Sequence, residues 1–243
     1  MSWTTEWGKI KREFPPTRDE LLEFLLAAVV IGFIISFRDW GITEFSVKEG
    51  LVNWLIGALI AAIALAIHHG AQRLVALRID TKVENRLWWN GSVVAILLAF
   101  VSAGALPFVA LTRTTVTDLK LHRLGHYRYR IGTVGKMWTV LAGPLANGIV
   151  ALLAWSFLTP SPNVSSFIML NLMMAFFNIL PIPPLDGIYV FYVSRTFYAT
   201  IFGGIFAAGI GYLIGLTGIL LILIILIGVL VAGLAWHYWF ERD

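Results

Sequence analysis

Two short segments of the chain combine ionisable side chains with strongly apolar surroundings. The first, residues 66–73, reads AIHHGAQR. On a helix, His68 and Gln72 are four residues apart and lie on one face, whereas His69 is turned by about 100° from His68. Imidazole is both the commonest metal ligand and a proton acceptor near neutral pH. This segment is therefore a candidate for metal binding or acid–base chemistry.

The second segment, residues 178–187, reads NILPIPPLDG. Its three prolines lack backbone N–H donors, so a continuous helix cannot pass through it. Asp186 follows the break, where its carboxylate can ligate a metal or cap a helix that begins near Ile188. The two roles are compatible, and both stay open at this point.

A third segment, residues 142–147, reads AGPLAN. Small residues allow two helices to approach closely, and an asparagine can donate a hydrogen bond across their interface. We interpret Asn147 and the glycines near it as packing residues.

The composition places these segments in a membrane protein. Of 243 residues, 58% are hydrophobic and only 13% are charged, whereas soluble domains carry about 25% charged residues. So little charge cannot cover a water-facing surface, which excludes soluble globular, disordered and fibrous classes. Cysteine is absent, which excludes disulfides and a cysteine nucleophile. The net charge of +4 does not indicate a nucleic-acid partner, because the basic residues lie in loops beside the apolar stretches.

Seven apolar stretches are candidates for transmembrane helices, each of which needs about 20 mostly apolar residues. They cover 21–37, 51–67, 92–112, 137–158, 165–180, 197–214 and 216–239. The helix-start signals between Pro15 and Asp19 predict where the first helix begins. A signal peptide is not expected, because the amino-terminal segment is polar and of mixed charge. Without an internal repeat or a long linker, we predict a single membrane domain over 1–243.

Lysine and arginine counts in the loops orient the stretches. The tail at 1–20 has four, 70–91 has four and 113–136 has six, against two in 38–50 and none in 159–164. If all seven stretches crossed the membrane, the two most basic loops would lie on opposite sides. A re-entrant 92–112, broken at Gly104 and Pro107, removes this conflict. We therefore predict six transmembrane helices plus one re-entrant segment, with a cytoplasmic N terminus.

The three motif segments, in this order, resemble those of the site-2 protease family of intramembrane zinc metalloproteases. That family has an HExxH helix, an AGPxxN helix and an NxxPxxxLDG segment whose Asp is a zinc ligand. The chain matches the last two at AGPLAN and at Asn178, Pro181 and Leu185-Asp186-Gly187. The resemblance is strongest over about 60–190.

The resemblance implies an all-α polytopic fold with a site-2-protease-like core at 51–190 and further helices at 191–243. It implies a zinc ion held by His68, Gln72 and Asp186. Asn147, Asn178, Pro181 and Gly187 would be substrate-contacting or packing positions. A small β-like cytoplasmic ribbon near the site would be supplied by Tyr127 to Ile131. We expect a multi-pass protein of a prokaryotic plasma membrane.

The chain departs from the family at the catalytic motif, where HExxH is replaced by HHGAQ at 68–72. His69 occupies the position of the glutamate that takes a proton from the zinc-bound water in HExxH enzymes. Gln72 occupies the second ligand position, and its neutral amide oxygen is a poor zinc ligand. A register shifted by one residue would use Arg73, whose positive charge would repel the metal. Together these changes predict a pseudoprotease.

Three hypotheses about function follow. The first is a catalytically silent site-2-protease-like protein that binds transmembrane helices or partner subunits. The second is an active intramembrane zinc metalloprotease that cleaves a membrane-spanning substrate, with His68, Gln72 and Asp186 as ligands and His69 as the base. The third is a transporter or structural subunit that uses the broken helix at 181–187 as a binding site.

The remaining histidines are weaker candidates. His122 and His126 have helical i, i+4 spacing, but the cations around them would repel a metal ion. His237 lies among Trp236, Tyr238 and Trp239 and is expected in an interfacial aromatic belt.

Overall fold

The structure is a computed structural model that describes residues 3–41, 44–118 and 132–240. Its elements are, in chain order, α1 (Trp3–Glu13), α2 (Arg18–Ile35), α3 (Val47–Arg78), β1 (Thr81–Leu87), α4 (Trp89–Val101), β2 (Thr112–Asp118), α5 (Thr133–Phe157), α6 (Pro162–Asn178), α7 (Gly187–Val193), α8 (Arg195–Leu213) and α9 (Gly218–Phe240). The chain is mostly helical, and the expected class of a helical membrane protein agrees with this architecture.

Four of the helices, α3, α5, α8 and α9, are long and apolar enough to cross a membrane. Large apolar side chains on their surfaces, such as Leu59, Leu153 and Leu230, are more than half exposed. Exposed apolar surface on this scale is typical of helices that face lipid. The predicted stretches at 21–37 and 165–180 lie in α2 and α6. However, α2 carries four charged residues near its start, and α6 has only 17 residues.

The start of α2 is where the sequence predicted it. The Thr17 hydroxyl accepts a hydrogen bond from the Glu20 amide at 3.3 Å, and the Glu20 carboxylate accepts one from the Thr17 amide at 2.8 Å. This reciprocal capping box satisfies two backbone donors that have no partner inside the helix. The helix α1, at Trp3–Glu13 in the predicted tail, was not expected from the sequence.

The predicted break in the 92–112 stretch is confirmed. Helix α4 ends at Val101, and Ala103 and Gly104 both have positive φ angles, 48° and 73°. The Arg38 guanidinium Nε donates to the Ala103 carbonyl at 2.8 Å, so the turn lies beside the end of α2. The chain then returns through Val109–Leu111, which is buried. The break therefore reverses the direction of the chain.

The segment between Leu87 and Thr112 begins and ends at the same place because β1 and β2 form an antiparallel pair. Leu87 pairs with Thr112, and the register continues to Thr81 opposite Asp118. The sequence did not predict this sheet, so the all-α prediction needs this correction. The paired residues lie 25 positions apart at Leu87 and Thr112 and 37 apart at Thr81 and Asp118, and no local pattern specifies such pairing. The β-like ribbon predicted at Tyr127 to Ile131 lies outside the described residues.

The helices around the site pack at short distances. The cluster nearest the α2–α3 contact includes Ile31, Leu65, Leu111 and Met174, all at most 1% exposed. A Cβ atom on Gly32 would lie 2.4 Å from the Ala58 backbone nitrogen, so α2 and α3 approach almost backbone to backbone. Only glycine permits such an approach, which fixes α3 against α2.

Candidate functional site

The structure brings three of the predicted site residues together. His68, Gln72 and Asp186 are 1%, 0% and 2% exposed. The Nε2 atom of His68 lies 3.0 Å from Oδ2 of Asp186, and the Gln72 amide nitrogen lies 2.7 Å from the same oxygen. The sequence separations are 118 and 114 residues. We call these three side chains the polar cluster.

Helix α3 supplies two of the three side chains from one face, as the i, i+4 spacing predicted. Helix α5 crosses directly over His68 at Gly143, where a Cβ atom would lie 2.4 Å from the imidazole Nε2. The AGPLAN segment therefore leaves room for the histidine ring. This role is more specific than the helix packing expected for its small residues.

The proline-rich break supplies the carboxylate. The chain leaves α6 after Asn178 and enters α7 at Gly187, and a Cβ on Gly187 would clash with the Ile179 carbonyl. Asp186 occupies the N-cap position of α7, yet its side chain makes no capping hydrogen bond. The carboxylate points instead to His68 and Gln72, so the capping interpretation of Asp186 is wrong.

The hydrogen-bond partners fix the orientation of the Gln72 amide. Its nitrogen faces two oxygens, Asp186 Oδ2 at 2.7 Å and the Val140 carbonyl at 3.1 Å. Its oxygen accepts from the side-chain amide nitrogen of Asn85 at 3.0 Å and from the Thr114 hydroxyl at 3.3 Å. Rotating the amide by 180° would place oxygen against two acceptors and NH₂ against the Asn85 donor.

The number of hydrogens on the Gln72 amide nitrogen bears on the contact between His68 and Asp186. An amide NH₂ has two hydrogens, and the two oxygen acceptors take both. The 3.3 Å approach of Gln72 Nε2 to His68 Nε2 is then a contact without a shared hydrogen. His68 therefore donates from Nε2 to Asp186. Its Nδ1 atom is buried without a hydrogen-bond partner.

These residues do not fit the zinc site that the resemblance implies. Zinc in proteins takes nitrogen, sulfur or carboxylate oxygen ligands in a tetrahedral arrangement. The Gln72 oxygen already accepts two hydrogen bonds on the side of Asn85 and Thr114. In the described part of the chain, no group of three or more His, Cys, Asp or Glu side chains lies close enough to share a metal ion. The cluster offers one imidazole and one carboxylate.

His69 faces a different neighbourhood. Its Nε2 lies 3.3 Å from the Thr112 hydroxyl, and its ring packs edge-on against Phe24 at 5.9 Å between centroids. The side chain lines a cavity of about 220 Å³ together with Glu20 and Arg73. The role of His69 as a proton acceptor stays a prediction.

Arg73 forms a buried ion pair beside the polar cluster. Its guanidinium donates to Glu20 at 2.7 Å and to the Phe14 carbonyl. Burial raises the pKa of Glu20. Three interactions outweigh that effect and hold the pKa of Glu20 below its usual value: the hydrogen bond from the Thr17 backbone N–H, the positive charge of Arg73 and the hydrogen bond from the Asn85 backbone N–H. The pair ties α2 to the C-terminal part of α3, which carries the HHGAQ segment, and sequence reasoning missed this contact.

The other predicted positions lie around the cluster. Asn147 donates to the Ala64 carbonyl at 3.3 Å and to the Asn171 side chain at 3.2 Å, so it packs α5 against α3 and α6. Asn178 donates within its own helix to the Met174 carbonyl at 2.9 Å. Pro181 is exposed and Gly187 is buried. His122 and His126 lie outside the described residues.

Asn85 and Thr114 were missed as members of the site. A usable signal was present for Asn85. In TKVENRL at Thr81–Leu87 alternate residues are buried, and Asn85 lies between Val83 and Leu87 on that buried face. A polar residue on the buried face of a strand needs a hydrogen-bond partner. Its partner, Gln72, lies on another element, so the sequence alone could not identify it.

Comparison with protein-family models, curated proteins and solved structures finds no match to the chain. Within the residues that the structure describes, the fold and the site define a helical protein with four membrane-length apolar helices and a buried histidine–carboxylate–amide cluster.

Proposed function

We propose that this chain is a site-2-protease-like membrane protein that no longer cleaves, and that it binds a transmembrane helix of a partner protein. The observation that carries the proposal is the Gln72 amide, which donates to Asp186 at 2.7 Å and accepts from Asn85 and Thr114. In this proposal, hydrogen bonds replace the metal at the centre of the former active site. Hydrogen bonds between side chains of different elements are electrostatically strong in a low-dielectric interior, so these contacts can hold the helices together.

The proposed topology has six transmembrane helices and a re-entrant segment. Helices α2 and α6 join the four long apolar helices, and α4 with its return enters and leaves on one side. The pairing of Leu87 with Thr112 supports this arrangement, since both ends of the excursion meet there. The lysine and arginine counts of the loops favour the cytoplasm for that side.

The partner-binding half of the proposal rests on what remains of the scaffold. The AGPLAN and LDG segments both lie against α3, since Gly143 and Asp186 each contact His68, and this supports a retained scaffold. A scaffold that has lost its chemistry can keep the surface on which a substrate helix was held, although fold alone does not determine function.

Metal content tests the loss of catalysis. We expect the purified full-length protein to contain much less than one zinc per chain and to leave a model single-span substrate intact. A double variant, His69→Glu with Gln72→His, restores the HExxH pattern and should bind about one zinc per chain, the stoichiometry of a single catalytic site. Its matched control adds Asp186→Asn and should lose that zinc. Stoichiometric zinc in the unmodified protein, lost in His68→Ala, would overturn the proposal.

Energy transfer in vesicles tests the partner. The labelled protein and a labelled single-span helix are reconstituted together. We expect energy transfer that saturates and that an unlabelled copy of the helix reduces by competition. Transfer that rises only in proportion to helix density would contradict helix binding. This measurement is independent of the zinc result.

The active-protease hypothesis keeps one supporting observation, which is the 3.0 Å contact between His68 and Asp186. It requires the Gln72 amide to rotate and to break its bonds with Asn85 and Thr114. The zinc measurement separates the two hypotheses.

A further inference from the structure

Three cavities adjoin one another along α6. The first, about 640 Å³, lies between the α2–α3 connection and the start of α6. The second, about 360 Å³, shares Ile35 and Ser166 with the first. The third, about 380 Å³, shares Pro107, Met169 and Met173 with the second. We call the three together the α6 groove.

The character of the α6 groove changes along its length. The first cavity is lined by charged and amide side chains, namely Arg38, Asp39, Glu49, Asn53 and Asn163. The third is lined by apolar side chains, among them Leu98, Phe108, Phe176, Phe206 and Ile210. A ligand that fills the whole groove must therefore have one polar end and one long apolar end.

The length of the groove matches one lipid. From Asn163 in the first cavity to Phe177 in the third, the helix advances 14 residues, or about 21 Å. One leaflet of the hydrocarbon core is about 15 Å thick, half of the full core. The groove is thus long enough for a headgroup and one acyl chain lying parallel to α6.

The charges at the polar end indicate the headgroup. The Arg38 guanidinium lies there, and its Nε donates a hydrogen bond to the Ala103 carbonyl at 2.8 Å. Asp39 and Glu49 line the same cavity, and within the described residues their carboxylates have no ion-pair partner. One cation beside two anions is complementary to a phosphate joined to an ammonium group. An ammonium with N–H donors can hydrogen-bond to carboxylates, whereas a trimethylammonium cannot.

We propose that the α6 groove binds a phospholipid with a primary amine headgroup, of the phosphatidylethanolamine type. The phosphate lies near Arg38, the ammonium near Asp39 and Glu49, and an acyl chain follows Met169 and Met173. This site is separate from the polar cluster and does not depend on whether the chain cleaves a substrate.

Native mass spectrometry of the detergent-purified full-length protein tests the proposal. Phosphatidylethanolamine, phosphatidylcholine and phosphatidylglycerol with identical acyl chains are titrated separately, and the retained lipid is counted. We expect phosphatidylethanolamine to be retained about fivefold more strongly than the other two, as suits one or two partly exposed ion pairs. The double variant Asp39→Asn with Glu49→Gln should lose this preference. The control Glu44→Gln, an exposed carboxylate outside the groove lining, should keep it.

A second variant tests the groove itself. Ser166→Trp places a large ring where the first two cavities meet and should remove the retained lipid, while thermal unfolding shows whether the variant folds. Should it not fold, Met173→Phe narrows the next junction and should weaken retention severalfold. Equal retention of all three lipids, or stronger retention of phosphatidylglycerol, would overturn the proposal. A groove shaped for a partner helix would not distinguish the three headgroups and would therefore give equal retention of all three lipids.

Discussion

The side-chain nitrogen of Gln72 lies 2.7 Å from Oδ2 of Asp186 and donates a hydrogen bond to it. The resemblance to metalloproteases places a metal-binding side chain at both positions. A neutral amide and a carboxylate in direct contact satisfy each other without a metal. The site is therefore organised as a hydrogen-bond network whose centre is an amide.

That network predicts a large cost for Gln72→Ala. The change removes four hydrogen bonds and leaves the buried Asn85 and Thr114 side chains without an acceptor. An unsatisfied buried polar group costs about 1–3 kcal/mol, so we expect the free energy of unfolding to fall by about 2–4 kcal/mol. Thermal or denaturant unfolding in detergent measures this. Ser156→Ala, an exposed hydroxyl on α5, is the control; equal losses in the two variants would show that the network is not stabilising.

How much of this site is predictable can be argued from its members. The helical period predicted that His68 and Gln72 share a face, and the prolines predicted that Asp186 follows a break. Neither pattern specifies which way an amide points. The orientation of Gln72 depends on Asn85 and Thr114, which reach it only because β1 pairs with β2.

The same distinction applies to the fold. A run of apolar residues long enough to cross a membrane is a local signal in the sequence. Such runs predicted α3, α5, α8 and α9. The break near Gly104 was also local, since glycine tolerates positive φ. The sheet and the Glu20–Arg73 pair were not predictable, because each joins residues whose proximity follows from the packed structure.

Gly143→Ala should disturb the polar cluster although it replaces none of its three side chains. The added Cβ would lie 2.4 Å from His68 Nε2, so the imidazole must move from the position in which it contacts Asp186. Overpacking of this kind costs about 1–3 kcal/mol. The matched control is Gly148→Ala on the same helix, whose Cβ would meet Ala175 at an ordinary 3.9 Å. We expect the control to unfold at or above the temperature of the unmodified protein; a comparable loss in both variants would contradict the close fit at Gly143.

The Glu20–Arg73 pair predicts a pH-dependent contribution to stability. The pKa of Glu20 in the folded protein lies below its ordinary value of 4.5. A lowered folded pKa stabilises the protein fully above the unfolded pKa, and that stabilisation is lost as the pH falls through the folded pKa.

Glu20→Gln should therefore lower the free energy of unfolding at pH 7 by about 1.5–3 kcal/mol, the range for hydrogen bonds to charged groups. The difference from the unmodified protein should shrink as the pH falls below 4.5. Unfolding followed at a series of pH values measures both. The exposed Glu44→Gln is the control, and a difference that grows towards acid would contradict the assignment.

The re-entrant topology predicts which face of the membrane each loop occupies. Because the chain contains no cysteine, single-cysteine variants give a clean labelling signal. Lys82 and Thr117 are register partners across β1 and β2, so Lys82→Cys and Thr117→Cys should react with an impermeant maleimide from the same side. Asn163→Cys, exposed at the start of α6, should react only from the opposite side. Labelling of positions 82 and 163 from one side would mean that α5 and the segments around it do not cross as proposed, and the six-helix topology would have to be abandoned.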